Sequence, residues 1–200
     1  MYLVKKLIVG QMYANCYLVY KNHSCVIIDP GDEADYISKK IEDFSLIPKA
    51  VISTHGHIDH IMACYELINN YNIPFFIDKD DEFLIRNLKN TSKHWFNRID
   101  ILSPKITQIF KNKFLLEEFE FEIIKTPGHT PGSVAFYNKK EKLLFSGDLI
   151  FEGGSVGRTD FSYSNNVKFK KSLNKILKMP KDTTVYPGHG DEFKLSEFTI

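Results

Sequence analysis

The stretch STHGHIDHI, residues 53–61, places His55, His57, Asp59 and His60 within six consecutive positions. A chain of 200 residues with 7 histidines and 13 aspartates should contain H-x-H-x-D-H by chance roughly 0.0005 times. The cluster is therefore read as chemistry, and imidazole with carboxylate is the donor mixture of divalent metal sites. Two positions apart in extended backbone, His55 and His57 can present their rings to one side. Asp59 and His60 are expected to open a helix. Its positive N-terminal end favours the carboxylate and disfavours imidazolium, keeping His60 in its neutral, metal-binding form. A structural zinc site would be closed and cysteine-rich, so a set rich in histidine and carboxylate points to an open, catalytic site.

Three more positions extend the set. TPGHTPGS holds His129 between two Pro-Gly turns, FSGDLI presents Asp148, and YPGHG presents His189. Five imidazoles and two carboxylates suffice for two adjacent metals with coordination positions left for water, and a carboxylate can bridge two cations through its two oxygens. His23 and His94 are read as ordinary surface histidines, and Asp29 of Asp29-Pro30-Gly31 as a turn former.

The elements that must position these groups follow from periodicity. Strands are expected at 17–20, 25–29, 50–53, 75–77, 119–125, 133–137, 142–145 and 183–186. Ala34, Ile37, Ile41 and Phe44 recur at steps of three and four and predict a helix, as do Ile61, Cys64, Tyr65 and Ile68. Helices are also expected at 80–88 and at 164–178, the second carrying Phe169, Leu173, Ile176 and Leu177 inward, while 91–104 reads as irregular. Two groups of strands with interspersed helices predict an α/β layered architecture. His55, His129, Asp148 and His189 each follow an expected strand, in loops at the edge of a rigid scaffold.

The chain has 200 residues, 43% of them hydrophobic, which predicts one domain spanning 1–200. A net charge of +1 shows no commitment to nucleic acid or acidic lipid. Cys16, Cys25 and Cys64 are an odd number without C-x-x-C spacing, which argues against a disulfide framework or thiolate zinc and for a cytoplasmic home. The N-terminal MYLVKKLIVG splits its apolar residues with a lysine pair, unlike a signal peptide, and no apolar run approaches the ~18 residues of a membrane span.

The segments Asp29-Pro30-Gly31, THGHIDH, TPGHTPGS, GDLIFEGGSVGRTD and YPGHG, in that order along nearly the whole chain, resemble the metallo-β-lactamase superfamily and within it the glyoxalase II-like hydrolases. The resemblance implies a four-layer αββα sandwich in its compact form, without the C-terminal helical domain of full-length glyoxalase II. It also implies two divalent metal ions, zinc first, with iron or manganese as alternatives. One metal would be held by His55, His57 and His129, the other by Asp59, His60 and His189. Asp148 would bridge them, and Asp29 would steady a ligand histidine.

The implied reaction is hydrolysis of a small-molecule thioester such as S-D-lactoylglutathione. Two cations lower the pKa of a shared water from ~15.7 toward ~7, and the resulting hydroxide attacks the carbonyl. A thiolate, from a thiol of pKa ~8.5, leaves without a strong general acid. Asp59 is the expected catalytic carboxylate, orienting the hydroxide and accepting a proton. Arg158 is either a substrate or loop anchor or half of a structural ion pair.

An iron-dependent persulfide dioxygenase and a hydrolase of another ester or phosphodiester are the alternatives. Persulfide dioxygenases carry cysteine where Val156 stands and lack the equivalent of Pro131-Gly132, which favours the hydrolase. The lysines at 168, 170, 171, 175 and 178 are read as a solvated helix face, so neither nucleic acid nor membrane is an expected partner. β-Lactam hydrolysis is not expected, because Asp148 stands where zinc β-lactamases commonly use cysteine.

Overall fold

In the computed structural model, which describes residues 1–199, the chain forms two compact units, Met1–Ile109 and Phe110–Ile200. The first begins with a strand that sequence periodicity did not predict, β1 (Leu3–Val9), where buried Leu7 and Val9 stand on either side of exposed Ile8. It continues through β2 (Ala14–Lys21), β3 (Ser24–Ile28), α1 (Ala34–Asp43) and β4 (Ile47–Ile52). Then come α2 (Ile58–Ile61), α3 (Cys64–Tyr71), β5 (Phe75–Ile77), α4 (Glu82–Arg86), α5 (Leu88–Phe96) and β6 (Gln108–Ile109).

The six strands form one sheet in chain order. The first three are antiparallel neighbours, whereas β3, β4, β5 and β6 are parallel. Parallel neighbours require crossovers, and α1 and α3 supply two of them. Ile37, Ile41, Leu67 and Ile68 pack with Leu18, Ile27, Val51 and Phe75 in one buried cluster. Cys16, Cys25 and Cys64 belong to that cluster, and burial pushes the Cys25 thiol up to about 12. Burial likewise raises Cys16 and Cys64, so all three sulfurs stay protonated and unreactive at neutral pH.

The second unit contains β7 (Lys113–Leu116), β8 (Phe119–Lys125), β9 (Val134–Asn138), β10 (Leu143–Gly147), α6 (Asn166–Ile176), β11 (Thr184–Pro187) and β12 (Phe193–Lys194). Its sheet order is β12-β11-β10-β9-β8-β7. Two successive antiparallel steps, β8 to β9 and β9 to β10, restore direction, and β11 is parallel to β10. Strands β8, β10 and β11 therefore end at the same edge of the sheet. Phe169 and Ile176 of α6 pack with Ala135, Leu144 and Val185, while Phe121, Phe136 and Phe145 form aromatic contacts of their own.

Two expectations need correction. Residues 91–104 are not irregular throughout, because α5 occupies Leu88–Phe96. Its inward positions are Leu88 and Ser92, with Phe96 partly buried against the core, so a serine interrupts the apolar spacing of that face. The helix expected after the histidine cluster is two helices. The amides of Met62 and Ala63 bond to the carbonyls of Gly31 and Pro30, at 3.2 and 3.1 Å, and divide α2 from α3. Among the described residues no helix is long and apolar enough to cross a membrane.

Candidate metal centre

In the first unit the polar residues gather where parallel strands end, the edge at which open α/β sheets build their sites. Asp29 follows β3 and His55 follows β4. Asp29 is 2% exposed and adopts φ 51°, a left-handed conformation that costs energy in a non-glycine residue. Its Oδ1 accepts the Thr54 amide at 2.7 Å, and its Oδ2 accepts the Thr54 hydroxyl at 2.6 Å and the His60 Nδ1–H at 3.2 Å.

These bonds fix ring tautomers. The Thr54 hydroxyl proton is committed to Asp29, so at 3.0 Å from His55 Nδ1 its oxygen accepts, and His55 keeps the lone pair on Nε2. His60 likewise donates from Nδ1 and keeps its lone pair on Nε2. His55 Nε2 lies 3.2 Å from His57 Nδ1, and His60 Nε2 lies 3.5 Å from Asp59 Oδ2. His57 caps α2, and Asp59 and His60 sit in its single turn, as expected.

Gly31 explains the tight packing here. A Cβ at this position would lie 1.8 Å from the Asp59 carbonyl oxygen, so only glycine lets the Asp29-Pro30-Gly31 turn lie against the backbone of Asp59.

In the second unit His129, Asp148 and His189 follow β8, β10 and β11 at the common edge. His129 Nδ1 donates to the Arg158 carbonyl at 2.7 Å, because a carbonyl can only accept, and this leaves the lone pair on Nε2. That nitrogen lies 3.4 Å from Asp148 Oδ2, and His189 Nε2 lies 3.7 Å from the same oxygen. Helix α6 and the turn before it brace the His129 loop: Ser172 of the helix donates to the Pro127 carbonyl at 2.8 Å, and Ser164 of the turn donates to the His129 carbonyl at 2.7 Å. A Cβ at Gly157 would meet the Asp148 carbonyl oxygen at 1.8 Å, so residues 157–158 support Asp148 and His129 together.

The donor set suits a divalent cation. Two ligand atoms around a tetrahedral zinc, with bonds of ~2.0–2.1 Å, stand about 3.3 Å apart. The His55–His57, His60–Asp59 and His129–Asp148 separations of 3.2, 3.5 and 3.4 Å have that length. In three of the histidines a hydrogen bond on Nδ1 frees Nε2 for a metal.

Arg158 is resolved in favour of the ion pair. Its guanidinium meets both oxygens of Asp160, at 2.7 and 2.6 Å, and lies 4.6 Å over the Phe161 ring. The pair holds the Asp160 carboxyl down at about 2. His23 Nδ1 lies 3.1 Å from the Ser45 carbonyl and His94 is exposed on α5, both away from these clusters in the chain. The α6 lysines at 168, 170, 171 and 175 are exposed, the solvated face the sequence predicts.

Sequence reasoning passed over Asp81. It is fully buried, and its Oδ2 accepts the amide of Gly56, the residue between His55 and His57, at 2.8 Å.

The profile of the metallo-beta-lactamase superfamily matches residues 9–189. The chain belongs to that superfamily. As a superfamily member it is 34% identical over 181 residues to the hydroxyacylglutathione hydrolase GloC of Haemophilus influenzae, covering 88% of this chain and 85% of that protein. Among solved structures it is similar to one described as the BLEG-1 B3 metallo-beta-lactamase, with a TM-score of 0.91 and 31% identity over 98% of this chain and 95% of that one. It is also similar to TTHA1623 in a di-iron-bound form, with a TM-score of 0.87 and 33% identity over 96% and 95%. Two mixed sheets with flanking helices thus match the metallo-beta-lactamase fold, the αββα class expected from the sequence. The histidine and aspartate clusters are groups that could hold a metal ion.

Proposed function

We propose that the protein is a binuclear metal-dependent hydrolase of a thioester, S-D-lactoylglutathione or a related hydroxyacyl thioester. The observation that carries this reading is the 34% identity to a hydroxyacylglutathione hydrolase over 88% of the chain, in a chain whose histidines are tautomerically set as ligands. His55, His57 and His129 would hold one metal and Asp59, His60 and His189 the other, with Asp148 available to both. Zinc suits these nitrogen and oxygen donors, and so does iron, which a 33%-identical relative binds as a pair.

Two such cations acidify water and polarise a carbonyl. The chain's own groups supply the rest. Asp29 and Thr54 orient His55, and Asp29 orients His60. The Arg158 carbonyl orients His129. Asp59, partly exposed on the turn of α2, orients the attacking water and takes its proton. The departing thiolate needs no acid of its own. With its guanidinium paired to Asp160 and its carbonyl on His129, Arg158 shapes the loop.

The test is metal analysis of the purified protein alongside turnover of S-D-lactoylglutathione. Two metals per chain with thioester hydrolysis, abolished by chelation and restored by metal, is the expected result. A second reading, β-lactam hydrolysis, draws on the 31%-identical structure described as a B3 metallo-beta-lactamase. A chromogenic cephalosporin in the same assay separates the two. Oxygen uptake on glutathione persulfide, with no hydrolysis, would move the protein to the dioxygenase reading.

A further inference from the structure

The loop between β4 and α2 is held from both sides by buried carboxylates. From the end of β3, Asp29 takes the Thr54 amide. Beyond the end of β5, Asp81 takes the Gly56 amide at 2.8 Å, and Asp81 is 0% exposed. Because β3, β4 and β5 are adjacent parallel strands, the two acceptors flank the His55–His57 segment. The fit on the Asp81 side is close: a Cβ at Gly56 would meet the Asp81 Cβ at 3.1 Å and the Leu84 Cβ at 3.0 Å. The turn at Lys79–Asp81 is itself held by Asp78, whose Oδ1 accepts the Asp80 amide at 3.1 Å. A buried carboxylate is costly unless it is hydrogen-bonded, and this one is fixed against the backbone at the midpoint of H-x-H.

We infer that Asp81 is a positioning residue for the metal ligands His55 and His57, acting through the Gly56 amide. The inference rests on the metal-binding reading given above. Asp81 belongs to none of the candidate metal-holding groups among the described residues. It sets the backbone from which both imidazoles project and so holds their nitrogens at the observed 3.2 Å separation. Partners of ligands typically alter metal affinity by ten- to hundredfold when removed.

The test titrates the metal-free full chain with zinc against a chromophoric chelator, for wild type, Asp81→Ala and Asp81→Asn. Asp81→Ala is expected to weaken zinc binding about ten- to hundredfold. Asp81→Asn keeps an oxygen acceptor for the Gly56 amide and is expected to recover affinity to within about threefold of wild type. That rescue separates positioning through the hydrogen bond from a need for buried charge. Wild-type affinity in Asp81→Ala, or an equal loss in both variants, overturns the inference. Should Asp81→Ala not fold, Asp81→Glu decides. It keeps the charge and shifts the acceptor, so a tenfold weaker affinity supports the inference and an unchanged one overturns it. A wild type that takes up no zinc defeats the metal-binding reading itself. A wild type that binds zinc beside an unaffected Asp81→Ala defeats only the role of Asp81.

Discussion

Asp148→Ala is expected to lower hydrolysis by about a thousandfold or more and to deplete both metals together. A thousandfold corresponds to ~4 kcal/mol of transition-state stabilisation, the scale of what a metal-polarised centre supplies. The motive is local geometry: one oxygen, Oδ2, stands 3.4 Å from His129 Nε2 and 3.7 Å from His189 Nε2. A carboxylate approached by two candidate ligands organises more than its own bond. The measurement pairs metal content per chain with kcat/KM on the thioester. A variant that kept two metals and normal turnover would falsify the bridging role.

Asp29→Ala is expected to act first on stability. The carboxylate accepts an amide, a hydroxyl and an imidazole N–H in a pocket where it is 2% exposed. Removing it strands three buried donors at ~1–3 kcal/mol each, and alanine tolerates the left-handed backbone at this position less well than aspartate does. A net loss of about 3–5 kcal/mol is anticipated, lowering the thermal midpoint by roughly 10–15 °C for a chain of this size. Thermal unfolding of the metal-free protein is the clean measurement, since metal binding would add its own stabilisation. A midpoint within about 2 °C of wild type would sink the idea that Asp29 anchors this edge of the sheet.

Much of this was legible in sequence where the signal is local. The strands at 75–77 and 119–125 coincide with β5 and β8, and three-and-four spacing located α1. His55, His129, Asp148 and His189 were placed after strands because tight turns and small residues mark those ends. What escaped depends on distant partners. Ser92 faces inward on α5 in a position usually held by an apolar residue, which interrupts the apolar spacing between Leu88 and Phe96. The break between α2 and α3 is imposed by the carbonyls of Pro30 and Gly31, about thirty positions upstream. In DKDDEF, exposed Asp80 and buried Asp81 are neighbours in one charged run. The approach of Gly56, whose amide Asp81 accepts, distinguishes them. Arg158 stood open between two roles until Asp160 was seen against it.

The order in which the second sheet can assemble follows from its pairings. Strands β9 and β10 meet through Leu143 and Asn138, five positions apart, whereas β10 meets β11 through Leu143 and Thr184, 41 apart. Closing the longer loop costs more chain entropy, and pairings distant in sequence form more slowly. The meander that carries His129 and Asp148 is thus expected to form before β11 docks and delivers His189. During refolding, pulse-labelled amide exchange should find β8, β9 and β10 protected ahead of β11. Simultaneous protection of all four would contradict that order. A nascent chain would then hold a partial ligand set, without His189, until β11 arrives.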